Sequence, residues 1–263
     1  MSTITSAAAK IVVVAGAGPG LGFSVAKRFA MAGHPVALVS RQKSRLEELA
    51  SQINALPNAG PAKAFAADVS SKSSMDDLFK SVSTEFKTKD DSTAKVWGAV
   101  YNAGSFGFSP FLDTTEEMLD GQMGTGLKGG FFFAQSYLRT LTATPGWDQT
   151  TGTESAGVLA FTGATASLKG SANFSAFAAS KAALRAIAQS VAREWGPKGV
   201  HVFHTIVDGL IDTERVGKMA GGDFQEGSRL KPDDLAETYY HLAAQPKSTW
   251  THELDLRPFS EKF

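Results

Sequence analysis

A strand that runs straight into a glycine turn and restarts as a helix limits this chain to few folds. Residues 10–21 read KIVVVAGAGPGL, and Gly22 completes a G-x-x-x-G-x-G pattern. Four β-formers, Ile11 to Val14, lead into Gly16, Gly20 and Gly22, and an Ala/Phe/Val-rich segment, Phe23 to Ala32, comes next. Such a junction gathers unpaired backbone N–H groups and the positive end of a helix at one point, which suits a diphosphate. A second strand, PVALVS at 35–40, strengthens a pattern that would be only fair alone.

The rest of the chain keeps the same alternation. Residues 42–56 carry Leu46, Leu49, Ile53 and Leu56 at helical spacing, 62–69 reads as a strand, and 73–86 as a helix capped by Ser73 or Ser74. Polar residues 87–94 form a connector, and a fourth strand at 95–104 ends in Asn102-Ala103-Gly104. Between Glu116 and Leu141 lies a helix, or two helices with a break, bearing Gly at 121, 124, 126, 129 and 130. Each interior glycine costs about 0.5–1 kcal/mol relative to alanine, so close packing or room for a ligand is expected there. Strands at 157–163 and 198–209 flank a long helix, Ala176 to Trp195, expected to bury Ala182, Leu184, Ile187, Val191 and Trp195. Polar, glycine-rich residues 212–231, with isolated apolar points at Val216, Met219 and Phe224, read as a lid or surface helix-loop; a last helix and a strand at 252–256 complete the chain. This pattern predicts βαβ units around a doubly wound, seven-stranded, mainly parallel Rossmann sheet in one domain over 1–263.

Composition narrows the classes of function. Lys+Arg and Asp+Glu are 26 each, so no nucleic-acid or anionic-membrane partner is supported. The absence of Cys removes disulfides and thiolate chemistry, and the five histidines form no metal pattern, so metal dependence is not expected. Neither a signal peptide in MSTITSAAAK nor a run of membrane length is read, and a soluble, cytoplasmic protein is expected.

The glycine turn, Asp68-Val69, Asn102-Ala103-Gly104 and Ala178-Ala179-Ser180-Lys181 together resemble the short-chain dehydrogenase/reductase family. The resemblance implies NAD(P)(H) bound across the carboxyl ends of the strands. In it Gly16, Gly20, Leu21 and Gly22 hold the diphosphate, Asp68 and Val69 meet the adenine, and Asn102 to Gly104 line the cofactor. It further implies Lys181 on the nicotinamide ribose, Thr213 near the carboxamide, and a homo-oligomer, dimer or tetramer. Three family groups are missing: Gly126 stands for the helix asparagine, Ala164 for the serine and Phe177 for the tyrosine. Without them an alkoxide is neither stabilised nor protonated in the usual way. Ser40-Arg41, with Lys43 and Arg45 nearby and no acid before Glu47, favours NADP(H).

Replacement chemistry has few candidates. Tyr101 sits at a strand end, where it could also be a core tyrosine. Asp208 stands where the family has proline and could orient an amine or act as a base, or merely form a turn. Thr165, Ser167, Lys169, Asn173 and Ser175 could face substrate, and Phe106, Phe108, Phe111, Phe174 and Phe177 could wall a cleft for a bulky hydrophobic compound. Three functions stay open. The first is an NADPH-dependent oxidoreductase acting on an iminium, activated alkene or carbonyl. The second is a cofactor-retaining cyclase, isomerase or dehydratase. The third is a catalytically inactive ligand-binding or partner protein.

Overall fold

Alternate residues of the first strand face opposite layers. Ile11 and Val13 meet one hydrophobic core, Val12 and Val14 the other, and all four are fully buried. Burial on both faces is what a parallel sheet covered by helices demands. A computed structural model describes residues 10–86, 94–150, 152–220 and 227–260. The polar connector is therefore outside the described residues except for its last member, Ala94, as are most of the N-terminal segment and Phe224.

The strands are β1 (Lys10–Ala15), β2 (Val36–Ser40), β3 (Ala62–Ala66), β4 (Lys95–Tyr101), β5 (Gly157–Ala164), β6 (Val200–Val207) and β7 (Glu253–Leu256). They form one sheet in the order β3-β2-β1-β4-β5-β6-β7, and every pairing is parallel. The helices are α1 (Leu21–Met31), α2 (Lys43–Asn54), α3 (Lys72–Glu85), α4 (Glu116–Met123), α5 (Gly129–Ala143), α6 (Ser175–Trp195), α7 (Glu214–Ala220) and α8 (Pro232–Ala243). Helices α1, α2 and α8 cover one face and α3, α5 and α6 the other. Strand order reverses between β1 and β4, so the crevice at their carboxyl ends is the expected ligand position in this topology.

Three local expectations are corrected. Helix α3 is capped by Ser71, whose Oγ accepts the Ser74 N–H at 3.3 Å, not by Ser73 or Ser74. Between α4 and α5 the chain does not break: Gly124–Lys128 forms a π turn that joins them into one helical run. On α6, Ala182 faces solvent; Ala178, Lys181, Leu184 and Ala188 form the buried face, which Ile187, Val191 and Trp195 only flank.

Candidate active site

Six of the seven strands are followed directly by a residue that bears on the site. Gly16 succeeds β1, Arg41 β2, Asn102 β4, Thr165 β5, Asp208 β6 and Arg257 β7.

The glycine turn is a cradle that side chains would fill. A β-carbon on Gly16 would stand 2.6 Å from Ala103 N, and one on Gly22 would stand 2.1 Å from Gly16 O. Gly16 and Gly20 have φ of +78° and +114°, which glycine alone adopts cheaply. Asn102 Nδ2 donates to Gly16 O at 3.0 Å, fastening the end of β4 to the turn. No side chain caps α1 at Gly20, so the first N–H groups at Leu21 and Gly22 open toward the crevice. Thr213 reaches the same turn, its Cγ2 lying 2.8 Å from where a Gly20 β-carbon would be.

A cleft of about 1280 Å³ extends from this turn to Ser40, Arg41 and Arg45, with Thr213, Lys218 and Lys231 opposite. Asp68 lies at its side, and its carboxyl is held below the usual range by Ser70, which donates through both Oγ (2.7 Å) and N (2.9 Å), with a smaller contribution from Arg41. Val69 packs on the α3–α5 core, where its Cγ2 is 3.1 Å from a Gly129 β-carbon position.

Lys181 is buried, and its Nζ donates to Thr162 O at 2.9 Å. Nζ stands 3.4 Å from a Gly104 β-carbon position and 6.0 Å from the centre of the Phe177 ring. Burial pushes its amine down to about 8. A phenylalanine ring has no acidic proton for that ammonium to polarise.

Position 126 has no room for a side chain. Gly126 lies in the π turn against α6, and a β-carbon there would meet the Ser180 Cβ at 2.6 Å. Tyr101 is the core tyrosine of the two alternatives: it is fully buried, its hydroxyl donates to Thr125 O, and its ring packs on Phe133 at 5.3 Å. Burial raises its phenol pKa well above the ordinary value, and its hydroxyl is already committed to Thr125 O.

Asp208 is neither a turn nor a helix-cap aspartate. One carboxylate oxygen accepts the Thr165 hydroxyl and the other pairs with Arg257 Nη1 at 2.8 Å. Sequence reasoning passed over Arg257, although its place just past the last strand was a usable signal. Behind the same turn runs a partly buried chain of contacts that sequence could not show. Arg185 grips Glu253 through two contacts of 2.7 Å, and Glu253 Oε2 accepts His204 Nδ1–H at 3.0 Å. His204 Nε2 then faces Ser167 Oγ at 3.5 Å, and Ser167 Oγ accepts the Ala164 N–H at 3.1 Å. Burial lowers His204 to about 4, Lys181 and Arg185 adding to the effect against the opposing pull of Glu253, so its ring is neutral at pH 7.

Four of the five phenylalanines form a cluster: Phe106 lies 5.5 Å from Phe174 and 5.7 Å from Phe177, and Phe108 lies 5.3 Å from Phe174. Phe111 does not join them and is 76% exposed on a short 3-10 turn. Free space beside the cluster, between Phe108, Gln122 and Asn173, is only about 20 Å³.

A model of the family described as short chain dehydrogenase matches residues 10–221. The chain belongs to that family. It is 30% identical over 249 residues to an uncharacterized oxidoreductase of Staphylococcus epidermidis, covering 95% of this chain and 97% of the relative. Among solved structures it resembles a short-chain dehydrogenase from Rhodopseudomonas palustris at 30% identity and a TM-score of 0.76, covering 97% of this chain and 100% of that one. It also resembles an alcohol dehydrogenase from the archaeon Thermococcus sibiricus, solved with 5-hydroxy-NADP, at 26% identity and a TM-score of 0.80, covering 96% and 98%. Among the described residues no group of three His, Asp or Glu side chains could hold a metal, and no helix is long and apolar enough to cross a membrane.

Proposed function

We propose that the protein is an NADP(H)-dependent oxidoreductase of the short-chain dehydrogenase type with a non-standard active site, acting on a bulky hydrophobic small molecule. The observation that carries the cofactor part is the glycine cradle, where Gly16 and Gly22 leave no room even for a methyl group. Gly16, Gly20, Leu21 and Gly22 would receive the diphosphate, Arg41 and Arg45 the 2′-phosphate, and Lys181 the ribose hydroxyls. The cofactor, when bound, supplies or accepts a hydride. The relative solved with a hydroxylated NADP supports the choice of nucleotide.

The hydrophobic substrate rests on the cluster of Phe106, Phe108, Phe174 and Phe177, the first two of which are 55% and 58% exposed. With so little space beside these rings, substrate entry requires that they part. Residues 212–231 would serve as a substrate lid, and of them Thr213, Glu214 and Lys218 line the cleft, while 221–226 lie outside the described residues. A homo-oligomer is supported by Leu127 and Phe131, which lie 39% and 49% exposed along the α5 run.

Fluorescence titration with NADPH and NADH, followed by NADPH absorbance with fused-ring ketones, enones and iminium ions, tests the reading. NADPH binding in preference to NADH, and its consumption with one of these classes, is the expected result. Failure to bind either nucleotide overturns it.

A further inference from the structure

Three neighbouring strands each end in a group of different chemistry, and the three groups meet. Thr165, Asp208 and Arg257 are the residues immediately past β5, β6 and β7. The threonine hydroxyl donates to one oxygen of the Asp208 carboxylate, and Arg257 holds the other oxygen at 2.8 Å while its Nη2 takes Asp255 at 3.0 Å. Asp208 is 8% exposed, whereas Thr165 is half-buried, so the threonine is the more open member of the pair. Ala164, the place of the lost serine, is the residue next to it.

We infer that Thr165 Oγ is the proton-transferring group of this site, with Asp208 as the store behind it and Arg257 as a positioning residue that holds the carboxylate. The inference rests on the oxidoreductase reading of the site. In the oxidising direction a substrate alcohol gives its O–H proton to Thr165 Oγ while the threonine's own proton passes to the Asp208 carboxylate. The substrate C–H bond breaks, its electron pair leaves as hydride to an oxidised nicotinamide dinucleotide, and the C=O bond forms. Asp208 then returns its proton to solvent. In reduction, Asp208 first takes a proton from solvent. Hydride then adds to the carbonyl carbon, the π pair moves to oxygen and takes the Thr165 proton, and the Asp208 carboxyl passes its proton to Thr165 Oγ and returns to the carboxylate paired with Arg257. A carboxylate clamped by a guanidinium keeps the threonine oriented and gives the relay its acceptor.

Thr165→Val removes the hydroxyl at nearly constant shape, and Thr165→Ser restores it. Two probes of matched size separate the chemistry: α-tetralone needs a proton on oxygen, whereas the N-methyl-dihydroisoquinolinium ion needs none on nitrogen. NADPH affinity, read by fluorescence without substrate, is expected to stay close to that of the parent in Thr165→Val and Asp208→Asn. The melting temperature is expected to stay close in Thr165→Val but to fall in Asp208→Asn, which leaves Arg257 without that carboxylate. The single-turnover ratio of ketone to iminium reduction is expected to fall by about 10²-fold or more in Thr165→Val and Asp208→Asn. Thr165→Ser is expected to recover most of it. A ratio within about threefold of the parent in Thr165→Val, or iminium but no ketone reduction by the parent, overturns the relay and leaves the oxidoreductase reading standing. Loss of NADPH binding by the parent, or turnover of neither probe class with NADPH bound, overturns both.

Discussion

Gly126 crosses α6 so closely that a β-carbon on it would stand 2.6 Å from Ser180 Cβ and 3.0 Å from the Ser180 carbonyl oxygen. An asparagine at position 126 therefore does not fit by one substitution. Gly126→Asn is expected to destabilise the protein by about 1–3 kcal/mol through overpacking, read as a lowered urea midpoint. Ser180→Gly in the same chain should recover only part, because the carbonyl stays where it is. An unchanged midpoint in Gly126→Asn would contradict the close crossing.

Lys181 is a buried ammonium with an apolar neighbour, Phe177. Its pKa falls from 10.5 to about 8 on folding, so the unfolded chain binds more protons between those values. Its stability penalty is full below about pH 8 and fades as pH rises toward 10.5. Lys181→Met is expected to raise the melting temperature at pH 7, by about 1–3 kcal/mol in free energy, with a smaller gain at pH 10. The same variant should weaken NADPH binding at least about tenfold, since the ribose partner is gone. Unchanged NADPH affinity would remove Lys181 from the cofactor site.

His204 works in the opposite pH range. Its pKa is about 4 when folded against 6.5 when exposed, so its contribution is complete above about pH 6.5 and is lost as pH falls toward 4. Up to roughly 3 kcal/mol depends on that window. His34 and His201 are also lowered by burial and act with the same sign. Melting scans from pH 7 to 4 should show a steep decline in the parent and a shallower one in His204→Gln. Equal slopes in the two proteins would mean that His204 is not a buried neutral ring.

Arg41 and Arg45 line the cleft beyond the glycine turn. Arg41→Ala is expected to weaken NADPH binding about 10- to 100-fold and NADH binding by less than threefold, because only the 2′-phosphate is abandoned. Arg45→Ala should have the same sense and a smaller effect. An equal loss for both nucleotides would place the arginine on a shared part of the ligand instead.

The sheet and the nucleotide end were legible because they depend on neighbours in sequence. The run Ile11–Val14 and the turn glycines declare their place through period and spacing, whereas the family resemblance places Asn102. Alternation along β4 also held the clue to Tyr101, which shares a face with Ala99 and so points into the α3–α5 layer. Contacts between distant segments were not legible. The hydrogen bond of His204 to Glu253 spans 49 positions and that of Thr165 to Asp208 spans 43, and no local pattern marks either. The cap of α3 was misplaced because four serines in 70–74 offer the same chemistry, and backbone geometry alone selects Ser71.

The π turn at Gly124–Lys128 fixes the phase of every later residue in the helical run. One residue more or less in an α-helix rotates the downstream side chains by about 100°. Removing a single residue from the turn would therefore swing Phe133, Tyr137 and Leu141 away from the sheet and carry the exposed side toward it. The five-residue bulge acts as an indexing step, and the whole α5 layer inherits its orientation from it.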